Sequence, residues 1–265
     1  MSYIKAINNV ITFYKGMLEV RIYPDREIMG LGAAKDVSLA INELLNEKEE
    51  INVIFAAAPS QSDFIKELIS DESIQWERIN AFHMDEYIGL DEDAPQGFGN
   101  YLKKHLFDKV PFNSVNIING FMKDVEGECN RYAELLDKYP VDIVCFGIGE
   151  NGHIAFNDPP VANFNDPKAV KVVELEMLCR QQQVNENLFD DISLVPTHAI
   201  TLTIPALLRS KKMFCIVPAT NKAEAVYNTL NGDIDKKCPA SIIRNKKEAI
   251  LYLDKESASL LHENI

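Results

Sequence analysis

The sequence predicts an α/β fold with three layers, a mainly parallel sheet flanked by helices. The first observation behind this is a set of short apolar, β-branched runs at 51–57, 79–82, 141–146 and 213–217. They have the length of buried strands and are separated by stretches of helical spacing. That alternation argues for strand–helix–strand units. The second observation is that polar loops follow two of these runs. His83-Met84-Asp85-Glu86-Tyr87 follows one, and the glycine-rich 147–158 follows the other. Ligands of open α/β sheets bind beside the carboxyl ends of strands, so function is expected at these loops.

Taken in order, residues 4–15 are expected to form a short helix. Residues 26–47 place Ile28, Leu31, Ala33, Val37, Leu39, Ile41 and Leu45 among polar residues, which is a helical and not an alternating pattern. A strand over 51–57 leads into a helix over 62–69, with Asp63 near its start. The 79–82 strand comes next. Helical segments at 101–106 and 129–136 enclose a strand at 115–118, and a strand at 141–146 follows. Strands are expected again at 170–175 and 213–217, then a helix at 221–230, a strand at 250–253 and a terminal helix at 255–260. No repeat or long linker divides the chain, so 1–265 reads as one domain. Residues 157–170 hold five Asp or Asn residues and three prolines. They read as a loop, either a lid over a site or an ordinary surface connection.

The bulk properties narrow the functional classes. A chain of 265 residues can bury a substantial core. Its 46% hydrophobic and 25% charged content is that of a globular protein. Forty acids against 27 bases give a net charge of -13, and no basic field marks a nucleic-acid partner. An anionic small substrate remains admissible, because a few local donors outweigh a distant negative field. No run of about 18 apolar residues suggests a membrane span, and Met1-Ser2-Tyr3-Ile4-Lys5 does not open a signal peptide. Five scattered cysteines suit a reducing cytoplasm, with Cys145 and Cys215 expected as buried thiols. No clustered His/Cys set suggests a metal.

His153 stands between closely spaced glycines (Gly147, Gly149, Gly152) and an acid, Asp158. Glycines permit tight turns and close approach, and imidazole exchanges protons near neutral pH. Asp158 could orient that ring if the loop folds back. Asp85 is surrounded in sequence by Phe82, Met84 and Tyr87. Desolvation there would raise its pKa and prepare a general base, whereas Glu86 can equally be a solvated acid. Ser60, Gln61 and Ser62 precede a helix. Their hydroxyls and the helix amides suit an anion, and simple capping by Ser60 or Ser62 is as good a reading. Lys222, at the start of the 221–230 helix, could close over the same anion. Arg180, in Cys179-Arg180-Gln181-Gln182-Gln183, is a further charged donor.

Phe82-His83-Met84-Asp85-Glu86-Tyr87 and the segment from Gly149 to Pro159, with Lys222-Ala223 and Pro239-Ala240-Ser241-Ile242, resemble the glucosamine-6-phosphate deaminase/isomerase family over about residues 18–260. The resemblance implies that family's Rossmann-like fold and an aldose–ketose conversion of a hexosamine 6-phosphate with loss of ammonia, without cofactor or metal. Asp85 would move a proton between C2 and C1, and His153, with Asn151 and Asp158, would help open the sugar ring. Residues 60–62 and Lys222 would hold the phosphate, with Arg180 the nearest candidate for the family's arginine. Glu86, Gly149 and Gly152 would support the site. The partner would be a small sugar phosphate. The family includes monomers and hexamers, so a homo-oligomer stays open.

Three departures stand out. Pro59-Ser60-Gln61-Ser62 replaces Thr-Gly-Gly-Thr, Asn151 replaces an aspartate, and Asp158 replaces a glutamate. Asn151 removes a charge beside His153. A galactosamine-type or non-deaminating isomerase, a phosphosugar lactonase and a non-catalytic sugar-phosphate sensor are therefore the alternatives.

Overall fold

The computed structural model describes residues 10–261. Two strands come first, β1 (Ile11–Lys15) and β2 (Leu18–Tyr23), paired antiparallel across Gly16, whose φ is +63°. The helix expected over 4–15 is therefore corrected: 11–15 are a strand, and 4–9 lie outside the described residues. Ile11-Thr12-Phe13-Tyr14 is β-branched and aromatic, a composition that favours strand. Its edge position leaves Ile11 and Tyr14 exposed, which blurs the apolar periodicity.

Helix α1 (Arg26–Glu47) begins where the Asp25 side chain accepts the Ile28 amide at 2.8 Å. Then come β3 (Ile51–Phe55), α2 (Ser62–Ile69), β4 (Ile79–His83) and β5 (Asp85–Tyr87). Helix α3 (Phe98–Leu102) precedes β6 (Ser114–Asn116), α4 (Val125–Lys138) and β7 (Ile143–Phe146). After β8 (Val170–Glu174) and α5 (Met177–Asn185) come β9 (His198–Leu202), α6 (Ile204–Leu208) and β10 (Lys212–Val217). Helix α7 (Ala223–Asn231) and β11 (Ala249–Asp254) complete the set. The terminal helix expected at 255–260 is replaced by turns. Asp254 accepts the Ser257 amide on its side chain and the Ala258 amide on its carbonyl, leaving a single 3₁₀ turn, Ser259–Leu261.

The main sheet runs β1-β2-β11-β10-β7-β3-β4-β6, parallel except for β1. The expected mainly parallel, three-layer α/β fold is what forms. Because β3, β7 and β10 are buried on both faces, their sequences are apolar throughout except for Asn52 and Lys212. Alternate residues serve opposite layers. Val53 and Phe55 join α1 and α2 in one core, while Ile54, Phe82 and Val144 pack with α4 and α7 in the other. The strand expected at 170–175 exists as β8. It belongs to a second, antiparallel sheet, β5-β9-β8, and not to the main one.

From β3 the chain builds outward through β4 and β6, then returns to place β7 on the other side of β3. This reversal of strand order is the switch point at which α/β sheets open a crevice. Among the described residues no helix is long and apolar enough to cross a membrane.

Candidate active site

Loops from four adjacent strands meet at this crevice: Ala56 to Ser60 after β3, Met84-Asp85 after β4, Gly147 to His153 after β7, and Lys222 after β10. Helix α5 closes it with Gln182 and Gln183, followed by Glu186 and Leu188. The cleft, with its open mouth counted, encloses about 550 Å³.

Gly149 lets His153 reach the cleft. A Cβ at position 149 would fall 2.1–2.4 Å from imidazole atoms, so the ring occupies the volume any other side chain would need. Gly152, at φ +82°, makes the turn between them, and its amide donates to the Gly149 carbonyl at 2.9 Å. The Gly149 amide in turn donates to the His153 carbonyl at 3.0 Å.

His153 Nδ1 lies 2.8 Å from Asn151 Oδ1 and 2.9 Å from Asp158 Oδ1. The loop folds back, which brings Asp158 to the ring. Two acceptors on one nitrogen place the proton on Nδ1 and leave Nε2 as the acceptor. Asn151 Nδ2 donates to Asp158 Oδ1 at 3.0 Å and to Glu176 Oε2 at 2.6 Å, which fixes the amide with its oxygen toward the ring. Glu176, 25 positions along the chain, thus orients Asn151 from its far side. Burial alone would raise the Asp158 pKa. The His153 charge and hydrogen bonds from His153, Asn151 and the Glu176 amide outweigh it and hold the carboxyl below its ordinary value.

Asp85 has the opposite environment. Burial, then the Glu86 and Asp158 charges, push its pKa well above the ordinary carboxylate value, opposed only by the Phe156 amide. Two buried carboxyls whose pKa values are driven apart are an acid/base pair in the making. As a base, Asp85 works only when ionised. The acid limb of kcat/KM is therefore expected to fall above the usual carboxylate range, and a pH–rate profile checks this.

Glu86 points away from this chemistry. Its carboxylate accepts the amides of Tyr87, Phe98 and Gly99 at 2.8–2.9 Å and so anchors the start of α3. Glu86→Ala would leave these buried donors unpaired. It is expected to cost about 3 kcal/mol, read as a lower denaturant midpoint. His83, the other striking residue of this loop, is also structural. Nε2 accepts the Ile118 amide at 2.8 Å, and burial lowers its pKa to about 3, so the ring stays neutral.

The groups assigned to anion binding separate. Ser60 and Lys222 line the cleft. Gln61 is buried and donates to the Ile216 carbonyl at 3.0 Å, tying the β3 loop to β10. Ser62 is exposed, donates back to the Pro59 carbonyl, and caps nothing. Arg180 does not line the cleft, and its Nη2 donates to the carbonyls of Ile192 and Val195 at 2.7 and 2.8 Å. Lys222 is 4% exposed and follows Ala219, whose strained φ of +79° is held where its amide donates to Asp254.

Sequence reading missed the cover of the cleft. No residue of 157–170 lines it, whereas α5 and the residues just after it do. The signal was present: Cys179, Gln182, Gln183 and Glu186 stand at i, i+3, i+4 and i+7, one helical face. Arg180, chosen for its charge, is on a different face. His153, Asp158 and Cys179 each bring a metal-ligating atom within 4.8 Å of the others. A structural zinc takes four such ligands, and here the ring and carboxylate already share a hydrogen bond.

Comparison with known proteins agrees with this architecture. Residues 24–252 match the family model described as glucosamine-6-phosphate isomerases/6-phosphogluconolactonase. The chain is 34% identical over 212 residues to a glucosamine-6-phosphate deaminase of Listeria monocytogenes serotype 4a (strain HCC23), covering 80% of this chain and 88% of that one. Its fold is similar to that of a monomeric glucosamine-6-phosphate deaminase, with a TM-score of 0.84 and 31% identity over 91% of this chain and 99% of that one. A 6-phosphogluconolactonase from Thermotoga maritima has the same fold, with a TM-score of 0.73 and 20% identity over 89% and 99% of the two chains.

Proposed function

The chain belongs to the glucosamine-6-phosphate isomerase/6-phosphogluconolactonase family, and on that premise we propose that it converts a hexosamine to a ketose and ammonia. The observation that carries this reading is the pairing, in one cleft, of a buried carboxyl with a raised pKa, Asp85, and an imidazole backed by a low-pKa carboxylate, His153 with Asp158.

His153 Nε2 takes the proton of the anomeric hydroxyl as the C1–O5 bond breaks and returns it to O5, which opens the ring. Asp158 stabilises the imidazolium in between. Asp85 then removes the proton from C2 of the open-chain aldose and delivers it to C1. The C1 carbonyl oxygen gains the proton that the C2 amine loses, so C1 becomes the CH₂OH carbon and C2 an imine. Water adds to C2 and ammonia leaves, giving the ketose. Carbon C1 is reduced and C2 oxidised within one molecule, so no external redox partner enters.

The relatives' names put a 6-phosphate on the hexosamine. Were such an ester bound here, Ser60 and Lys222 would meet its phosphate and the product would be the ketose 6-phosphate. Glucosamine, galactosamine and their 6-phosphates are the substrates to assay, for ammonia and ketose together. Both products in equal amounts support the reading. Ketose formed from the corresponding non-amino aldose 6-phosphate, with no turnover of the amino sugars, favours plain isomerisation. Hydrolysis of a sugar-acid lactone phosphate with neither product overturns the proposal.

A further inference from the structure

Lys222 is not alone in the cleft. Its Nζ lies 3.4 Å from Glu186 Oε1, and that oxygen also accepts Gln182 Nε2 at 2.8 Å. Gln182 Oε1 in turn accepts the Glu150 amide at 3.0 Å. The ion pair is thus tied to both the cover helix and the loop after β7. The Glu186 side chain is 17% exposed and that of Lys222 5%, so little solvent screens the pair. Among the described residues lining the cleft there is no arginine, and the cations are Lys222 and, when protonated, His153.

The pair also has a definite position. Lys222 follows β10 and Asp85 follows β4, with β7 and β3 between them. Three strand spacings amount to roughly 14 Å. With C1 and C2 of a bound sugar at Asp85, Lys222 and Glu186 would face its other end.

We propose that Glu186 sets which terminal group the cleft accepts, fitting it to a hexosamine with a free hydroxyl at that end and not to a phosphate ester. The inference rests on reading Asp85 and His153 as hexosamine chemistry. Near neutral pH a phosphate monoester carries a charge of about -1.5 to -2. To use Lys222 it must draw the lysine from Glu186 and leave a largely buried carboxylate beside its own charge. A hydroxyl has no such conflict. It donates to Glu186 and accepts from Lys222, joining the pair without breaking it.

The test compares kcat/KM for glucosamine and galactosamine with kcat/KM for their 6-phosphates, in the natural protein and in Glu186→Gln. The natural protein is expected to favour a free hexosamine at least tenfold. Glu186→Gln is expected to raise kcat/KM for the phosphate ester at least tenfold, chiefly through KM, and to strengthen inhibition by inorganic phosphate. A natural protein that favours the phosphate ester, or a ratio unmoved by Glu186→Gln, overturns the inference and leaves the ring chemistry standing. If no hexosamine turns over, the hexosamine reading has failed. Calorimetric titration of the same four sugars then decides the terminal group: tighter binding of a free hexosamine upholds it, and tighter binding of its phosphate overturns it.

Discussion

Asp85→Asn is expected to lower kcat by roughly 10⁴-fold, the upper end for removal of a general base, with ligand binding retained. The same change is expected to raise the thermal midpoint at neutral pH. The folded pKa of Asp85 is raised, chiefly by burial and then by Glu86 and Asp158. Its contribution to stability is therefore complete below the unfolded value and is lost as pH rises through the folded one. Asparagine is never ionised and escapes that loss. Steady-state kinetics with thermal unfolding checks both halves. Full activity would remove Asp85 from the role of base. Lost activity with a lowered midpoint would mean that the carboxyl serves the fold.

Gly149→Ala is expected to cost roughly 10²-fold in kcat, the scale of displacing a reacting group by about 1 Å. The added methyl would lie 2.1 Å from His153 Cε1 and 2.2 Å from Nε2. The ring must turn out, and its bonds to Asn151 and Asp158 go with it. If Gly149→Ala and His153→Gln each lower kcat similarly and the double variant is no worse, the two act through one ring. Wild-type kinetics in Gly149→Ala would mean that the ring position is immaterial.

What the sequence revealed follows from burial. Strands β3, β4, β7, β10 and β11 lie between layers, so apolar runs announce them. Asp85 and His153 drew attention because they stand in the polar segments that follow two such strands. Strands β5 and β9 were not. They are short elements of the antiparallel sheet, and they pair across more than a hundred residues, Asp85 with Thr201. Strand β2 does alternate, with Leu18, Val20 and Ile22 fully or nearly buried, but the polar residues between them hid the pattern beside an expected helix. The link from Asn151 to Glu176 has no local trace, because the fold alone brings β7's loop to the start of α5. Arg180 shows the reverse error: charge drew attention to a residue whose guanidinium holds backbone carbonyls, while its neighbours Gln182 and Gln183 face the cleft.

The central claim is that Asp85 carries hydrogen from C2 to C1 of a hexosamine. The direct measurement incubates the hexosamines and their 6-phosphates with the protein in deuterated water, following ammonia release and reading deuterium at C1 of the product by NMR. The account predicts ketose and ammonia in equal amounts, deuterium at C1, and neither product with Asp85→Asn. Ketose formed without deuterium at C1 from an undeuterated substrate would require a transfer shielded from solvent. In that case substrate deuterated at C2 must deliver its label to C1. Product carrying label at C1 from neither source, or formed equally well by Asp85→Asn, would contradict the account.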